Sequence, residues 1–265
     1  INMALILLIS IFLQIFISNN INSSLDAEEK DEILRKKIVP NDIGNYSQGA
    51  VSCDNGRCSA IGVEVLRNGG NAVDAAIATQ FCLAVTDIQA TGIGGGGKML
   101  IFNNKKKKMY ALNFRERSPI NVDQIPKRAN LRMGPYSIAV PGFVSGLYSA
   151  WEKFGTKTWK ELIDPSVLLA YHGFPMHAHL HLCTKNVVEN IPYNSFLRRI
   201  LLHNGDIKTT GSLIKNIRLA KTLSDIIIDP KSFYVGHIAQ KLVKDLSDEG
   251  SVLTKCPRST HIALT

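Results

Sequence analysis

The chain is short of several things, and each shortage excludes a class of function. It carries 5 cysteines in 265 residues, and none forms a Cys-x-x-Cys pair or the Cys/His spacing that holds zinc. The alternating histidines His177, His179 and His181 have no carboxylate placed to complete a metal set. On a strand they would share one face; a loop or surface role is expected rather than a metal site. No aromatics interleave with the basic runs Arg35-Lys-Lys37, Lys105-Lys-Lys-Lys108 and Arg198-Arg199, so the net charge of +9 reads as solvated turns and faces and not as a nucleic-acid surface. A strand is also missing where a nucleotide site needs one. Gly92, Gly94 and Gly97 satisfy G-x-G-x-x-G, but an Ala-rich helical run, Val73 to Val85, precedes them and an apolar strand follows. Dinucleotide binding requires the reverse order, because the N-terminus of the following helix must face the pyrophosphate.

Charge is absent from residues 1–18. That length falls between the ~20 apolar residues of a spanning helix and the ~7–15 of a signal-peptide core. No small-x-small cleavage site follows, so an uncleaved signal anchor in the plasma membrane is expected, with the bulk of the chain outside. The alternative is a cleaved signal peptide and a secreted protein. Residues 19–38, charged from Asp26 to Lys37, read as a stalk. Asn22 and Asn45 open glycosylation sequons. An oxidising compartment would allow one disulfide, and Cys58 with Cys82 would tie together the ends of a helix pair; buried free thiols are the other reading.

The remainder has the hydropathy of a globular protein, with 45% apolar and 20% charged residues. Residues 49–52 read as a short strand. Helical spacing runs from Cys58 to Asn68, stops at Gly69-Gly70, and resumes after the capping residue Asn71 to about Val85. Lys98 to Phe102 and Met109 to Phe114 flank a lysine-rich turn and predict a hairpin. Ser137 to Gly142 reads as a strand ending in a Pro-Gly turn. Further helices are expected over Phe143 to Phe154, Trp159 to Ala170 (apolar face Leu162, Val167, Leu168, Leu169), Leu213 to Ile228 and Val235 to Asp248. Hairpins with paired helices point to an α+β fold rather than alternating βαβ units.

Gly69-Gly-Asn-Ala-Val-Asp-Ala-Ala76, Thr91-Gly-Ile-Gly-Gly-Gly-Gly97, Asn113-Phe-Arg-Glu116, Ala139-Val-Pro-Gly142, Pro165 to Pro175 and Phe233-Tyr-Val-Gly236 follow one another in that order. Together they resemble the large subunit of γ-glutamyltransferase, or glutathione hydrolase, over roughly residues 39–250. The N-terminal run and the Cys58/Cys82 spacing are similar to those of animal members.

The resemblance implies an N-terminal-nucleophile hydrolase with an αββα sandwich. The precursor of that family cuts itself, exposing a threonine at the start of a small subunit. Its hydroxyl attacks the γ-glutamyl carbonyl with its own α-amine as base. The acyl group then passes to water or an amino acid, without metal or cofactor. Arg115 is the implied ligand of the donor α-carboxylate, its planar guanidinium matching that group. Glu116 is the implied partner that orients it, and an ordinary surface ion pair between the two is the alternative. Lys98 departs from the apolar residue usual there. The glycines 92–97 are expected to let backbone pass close to neighbouring strands or the cleft. The tail, residues 251–265, departs from the family. Within it Ser259-Thr260-His261 echoes the Thr-x-His that opens the small subunit, either by coincidence or as a displaced nucleophile. The sandwich is therefore expected to be incomplete here. The expected partners are γ-glutamyl substrates, the small subunit of the same precursor and, through the anchor, a membrane. The alternative is an inactive relative that serves as a binding protein.

Overall fold

The computed structural model describes residues 6–8, 46–254 and 263–264. Asn22, Asn45, Ser259, Thr260, the expected stalk and all of the expected anchor except Ile6–Leu8 lie outside them. Ile6–Leu8 forms strand β1. Among the described residues no helix is long and apolar enough to cross a membrane.

Helix α1 (Gly56–Arg67) starts at Asn55, whose side chain accepts from the Arg57 amide. It ends in a Schellman turn: Gly69 N–H donates to Leu66 O at 3.0 Å and Gly70 N–H to Val65 O at 2.9 Å, with Gly69 at φ 83°. Helix α2 (Ala72–Thr86) follows at once, opened by a capping box between Asn71 and Asp74. It is buried on nearly every face, as its Ala-rich, almost uncharged sequence requires. The expected disulfide is present: Cys58 and Cys82, 24 residues apart, are bonded and fasten α1 to α2. Cys53 and Cys183 are free thiols.

Asp74 is fully buried. Its carboxylate accepts from the Asn71 amide at 2.9 Å, from the Thr156 amide and hydroxyl at 3.0 and 2.5 Å, and from the Lys157 amide at 3.3 Å. A buried charge is tolerated only when saturated with donors in this way. The consequence is that the start of α2 is wired to the loop between α3 (Phe143–Phe154) and α4 (Trp159–His172).

Strands β2 (Lys98–Asn103) and β3 (Lys108–Asn113) form the expected hairpin, with Lys107 in the turn at φ 49°. β1 and β8 (Ala263–Leu264) pair antiparallel at its two edges, giving the order β1-β2-β3-β8. Met99, Ile101 and Leu112 point from the hairpin into the core. Helix α3 lies along this face. Fully buried Phe81 of α2 meets Phe143 and Trp159 edge-on at 5.4 and 5.5 Å, joining α2, α3 and α4. Burying such a ring is worth about 1.5–3 kcal/mol.

The remaining elements are β4 (Phe174–Pro175), α5 (Ala178–Val187), α6 (Phe196–Leu201), β5 (Leu202–His203), β6 (Asp206–Ile207), β7 (Leu213–Ile214), α7 (Ile217–Ile228) and α8 (His237–Asp248). β4 pairs with β7 and β5 with β6. α7 packs on α4, and the Trp159 indole N–H donates to Ile226 O at 3.2 Å.

Several expectations need correction. Residues 49–52 form no strand. Ser137 to Gly142 is not a strand either; it makes one antiparallel bridge, Val140 to Arg117, after a short 3₁₀ turn. Of the expected face, Leu162 is buried and Val167 and Leu169 are half-buried against the core, but Leu168 faces solvent, and α4 also buries Ile163, Ser166 and Ala170. Leu213 belongs to β7 and not to the helix after it. The histidines lie on no strand: His177 caps α5, its Nδ1 accepting from the Leu180 amide at 3.2 Å, while His179 and His181 sit in the helix. Arg198 is no solvated charge, because its guanidinium donates to Ile191 O and Val188 O. Lys98 is exposed at the strand start, so its departure from an apolar residue carries no burial cost.

The disulfide closes a loop of about 25 residues, and chain-entropy reasoning gives it about 3 kcal/mol. Reduction, or Cys58→Ser with Cys82→Ser, is expected to lower the urea-unfolding free energy by that amount; an unchanged midpoint would show that the helix pair needs no covalent tie.

Candidate active site around Arg115

Strand alternation continues past the end of β3. Leu112 and Phe114 are buried, whereas Asn113, Arg115 and Arg117 are exposed. Phe114 and Arg115 are thus set back to back, one driven into the core and the other turned away from it. The hairpin register, with Leu100 opposite Ala111 and Lys98 opposite Asn113, places Arg115 on the face that carries half-buried Leu100, Phe102 and Ala111.

Phe114 is gripped by backbone. Its N–H donates to Gly97 O at 2.9 Å, and its own carbonyl accepts from Gly97 N–H at 3.2 Å. On the other side the bridge to Val140 closes, with Arg117 N–H to Val140 O at 3.2 Å and Val140 N–H to Arg117 O at 2.8 Å. Gly95 O accepts from both Gly142 and Phe143 amides at 2.9 Å, which draws the glycine turn onto the start of α3. No side chain fits between these layers. A Cβ on Gly142 would stand 1.9 Å from Phe114 O, one on Gly146 2.1 Å from the Phe114 ring, and one on Gly96 2.4 Å from Phe114 O. Gly142 and Gly146, four apart at the head of a helix, share a face, and this spacing was the available sequence signal for the grip. Gly92 and Gly94 meet nothing within 4 Å, so only part of the glycine run serves close packing.

The Arg115 side chain is 62% exposed and that of Glu116 28%. Nε of Arg115 lies 3.3 Å from Glu116 Oε2. This is ion-pair distance without hydrogen-bond alignment, and that buried oxygen makes no hydrogen bond. An exposed pair of this kind contributes little to stability. The Arg115 amide donates to the Asn113 side chain at 3.2 Å. The two residues singled out from sequence are therefore in contact, on a rigid base, with a guanidinium open to a ligand.

A second support went unnoticed in the sequence. The Tyr234 hydroxyl accepts from the Ser145 amide at 2.9 Å, in the first turn of α3. Burial pushes the Tyr234 phenol above its usual range, with the Ser145 contact opposing. Tyr148 is raised too, by burial and then by Glu152.

The histidines belong to a different cluster. His177 Nε2 lies 3.4 Å from Asp87 Oδ1 and 3.2 Å from Thr86 O. The Asp87 carboxylate also accepts from Asn55 and Thr86 side chains at 3.0 and 2.7 Å. His181 Nδ1 meets Lys208 O at 2.9 Å. Among the described residues no group of His, Cys, Asp and Glu side chains is arranged to hold a metal.

The described residues form a mixed α+β layer whose glycine-gripped strand end delivers an Arg-Glu pair, and the solved structures it resembles are N-terminal-nucleophile hydrolases, which gives its class. The family model for gamma-glutamyltranspeptidase matches residues 58–256, and the chain belongs to that family. It is 38% identical to glutathione hydrolase 2 of Arabidopsis thaliana over 212 residues, which covers 78% of this chain and 36% of the relative. It is 39% identical to glutathione hydrolase proenzyme 2 of Schizosaccharomyces pombe over 216 residues, covering 78% and 34%. The structure of Helicobacter pylori gamma-glutamyltranspeptidase superposes with a TM-score of 0.78 at 32% identity, covering 84% of this chain and 66% of that one. The chain spans little more than a third of the length of these curated relatives.

Two outcomes test this geometry. Gly146→Ala should cost about 1–3 kcal/mol by overpacking Phe114, whereas Gly92→Ala should change stability by less than about 0.5 kcal/mol; equal effects in denaturant titration would refute the grip. The raised tyrosines disfavour ionisation in the folded state. Their contribution is complete below the unfolded value of about 10 and is lost as pH rises through the higher folded values. Thermal midpoints should therefore fall above pH 10, and less steeply in Tyr234→Phe.

Proposed function

We propose that this chain forms the donor-binding wall of a γ-glutamyltransferase that moves the γ-glutamyl group of glutathione and its conjugates to water or to amino acids. The observation that carries the reading is the open Arg115 guanidinium on the immobilised Phe114–Glu116 strand end. A fixed planar cation is suited to an α-carboxylate, and Glu116 holds it from the side. The attacking hydroxyl comes from the small subunit of the same precursor, whose sheet packs on the Leu100, Phe102 and Ala111 face and completes the sandwich. The "proenzyme" name of the fission-yeast relative supports a precursor of this kind. The Cys58–Cys82 disulfide supports an oxidising compartment. This accords with a secreted protein and with glycans at Asn22 and Asn45.

The test uses the complete protein, with this chain joined to the remainder of the length its relatives have. Arg115→Ala should raise the donor KM about 10–100-fold, the loss of a charge-assisted pair, and leave the acceptor KM unchanged. An unaltered donor KM would remove Arg115 from the site.

A further inference from the structure

The Phe233-Tyr-Val-Gly236 motif has no part in the chemistry above, yet its Tyr234 hydroxyl leads back to it. Phe233 is buried in the core. The Tyr234 hydroxyl meets the amide of Ser145 at 2.9 Å. Gly236 allows the turn to close, since a Cβ there would stand 2.6 Å from Ser232 Cα. The amide that Tyr234 satisfies lies in the free first turn of a helix, where backbone donors have no partner within the helix. No acidic side chain occupies that turn, and Gly142 at its head makes no side-chain cap. The other contacts of that turn run from Gly142 and Phe143 to Gly95 O and from the Ser145 hydroxyl to Gly142 O. Gly142 is one of the glycines that enclose Phe114, and Gly95 adjoins another, Gly96.

We propose that Tyr234 is a positioning residue for Arg115: its buried hydroxyl holds the first turn of α3 against Phe114, and Phe114 in turn sets where the neighbouring guanidinium stands. The proposal rests on the reading of Arg115 as the donor-carboxylate ligand. Nothing in it requires Tyr234 to touch substrate. The route is one hydrogen bond, one helix turn and one aromatic ring, each fixed by close contact.

The experiment is a double-mutant cycle in the complete protein, read as donor KM, acceptor KM and kcat. KM does not depend on the fraction of protein that folds. Tyr234→Phe, which removes one oxygen, should raise the donor KM about fivefold, the value of a single lost hydrogen bond, with kcat and acceptor KM unchanged. In an Arg115→Ala background the same change should leave donor KM unaltered, because the group it positions is gone. Gly236→Ala, which pushes the turn instead of cutting its contact, should move donor KM in the same direction. Tyr148→Phe on the same helix, two residues beyond Gly146, serves as the control for general loosening and should leave KM as it was. A fivefold effect that persists without Arg115, or an equal effect from Tyr148→Phe, would overturn the proposal. So would an unchanged KM in Tyr234→Phe while Arg115→Ala alone raises it. If Arg115→Ala itself leaves donor KM unmoved, the fault lies in the reading of Arg115 and the positioning role falls with it.

Discussion

The constraint on which this structure turns is the seating of one aromatic ring. Phe114 enters the core where a strand has just ended, and the backbone on both sides comes too near for any side chain but hydrogen. Interior packing of this density does not deform continuously. A strand end normally frays; here it is held by a hydrogen-bonded pair to Gly97 on one side and by a bridge to Val140 on the other. Because side chains alternate along extended backbone, fixing Phe114 inward fixes Arg115 outward. The position of the charged group is thus set by apolar packing behind it, and the exposed ion pair with Glu116 acts on its direction more than on its anchorage.

The same logic explains the layout around the site. Helix α3 serves the core through Phe143, Val144 and Leu147 and serves the site through Gly142 and Gly146. Its far end is tied separately: the Phe154 ring packs tilted against Tyr110 with centroids 5.0 Å apart, and the loop after it delivers amides to Asp74. A helix pinned at both ends cannot tilt without breaking one attachment. This gives the exposed Arg115 a fixed base.

Much of this was legible in the residues. Asn71 announced a helix cap, Gly69-Gly70 a helix stop, and the lysine turn a hairpin; each is local chemistry and each is present. The order of helix, glycines and strand excluded a nucleotide fold and agreed with the layers found. The motif resemblance led to Arg115 and Glu116, and these do stand together. What could not be read was decided by distant partners. Ser137 to Gly142 has strand-like composition but only one bridge, because Gly142 must leave the sheet to start α3. His177 looked like a strand or loop residue, yet its ring nitrogen accepts from a helix amide, a role more often filled by Ser or Asp. Arg198 looked solvated because nothing nearby in sequence shows that two carbonyls await it. Tyr234 stood in a recognised motif, but its contact could not be read for the same reason: its partner lies 89 positions away.

Among the described residues one cross-link is present, joining Cys58 to Cys82, both upstream of the long, exposed stretch between Arg117 and Val140. A protease that nicked that stretch would therefore leave two pieces that this disulfide does not connect. They would stay associated through packing and hydrogen bonds alone, with Phe81 of α2 against Phe143 and Trp159, Asp74 against the loop after α3, and β3 against α3, and the arginine would remain on one piece while the turn that seats its neighbour stayed on the other.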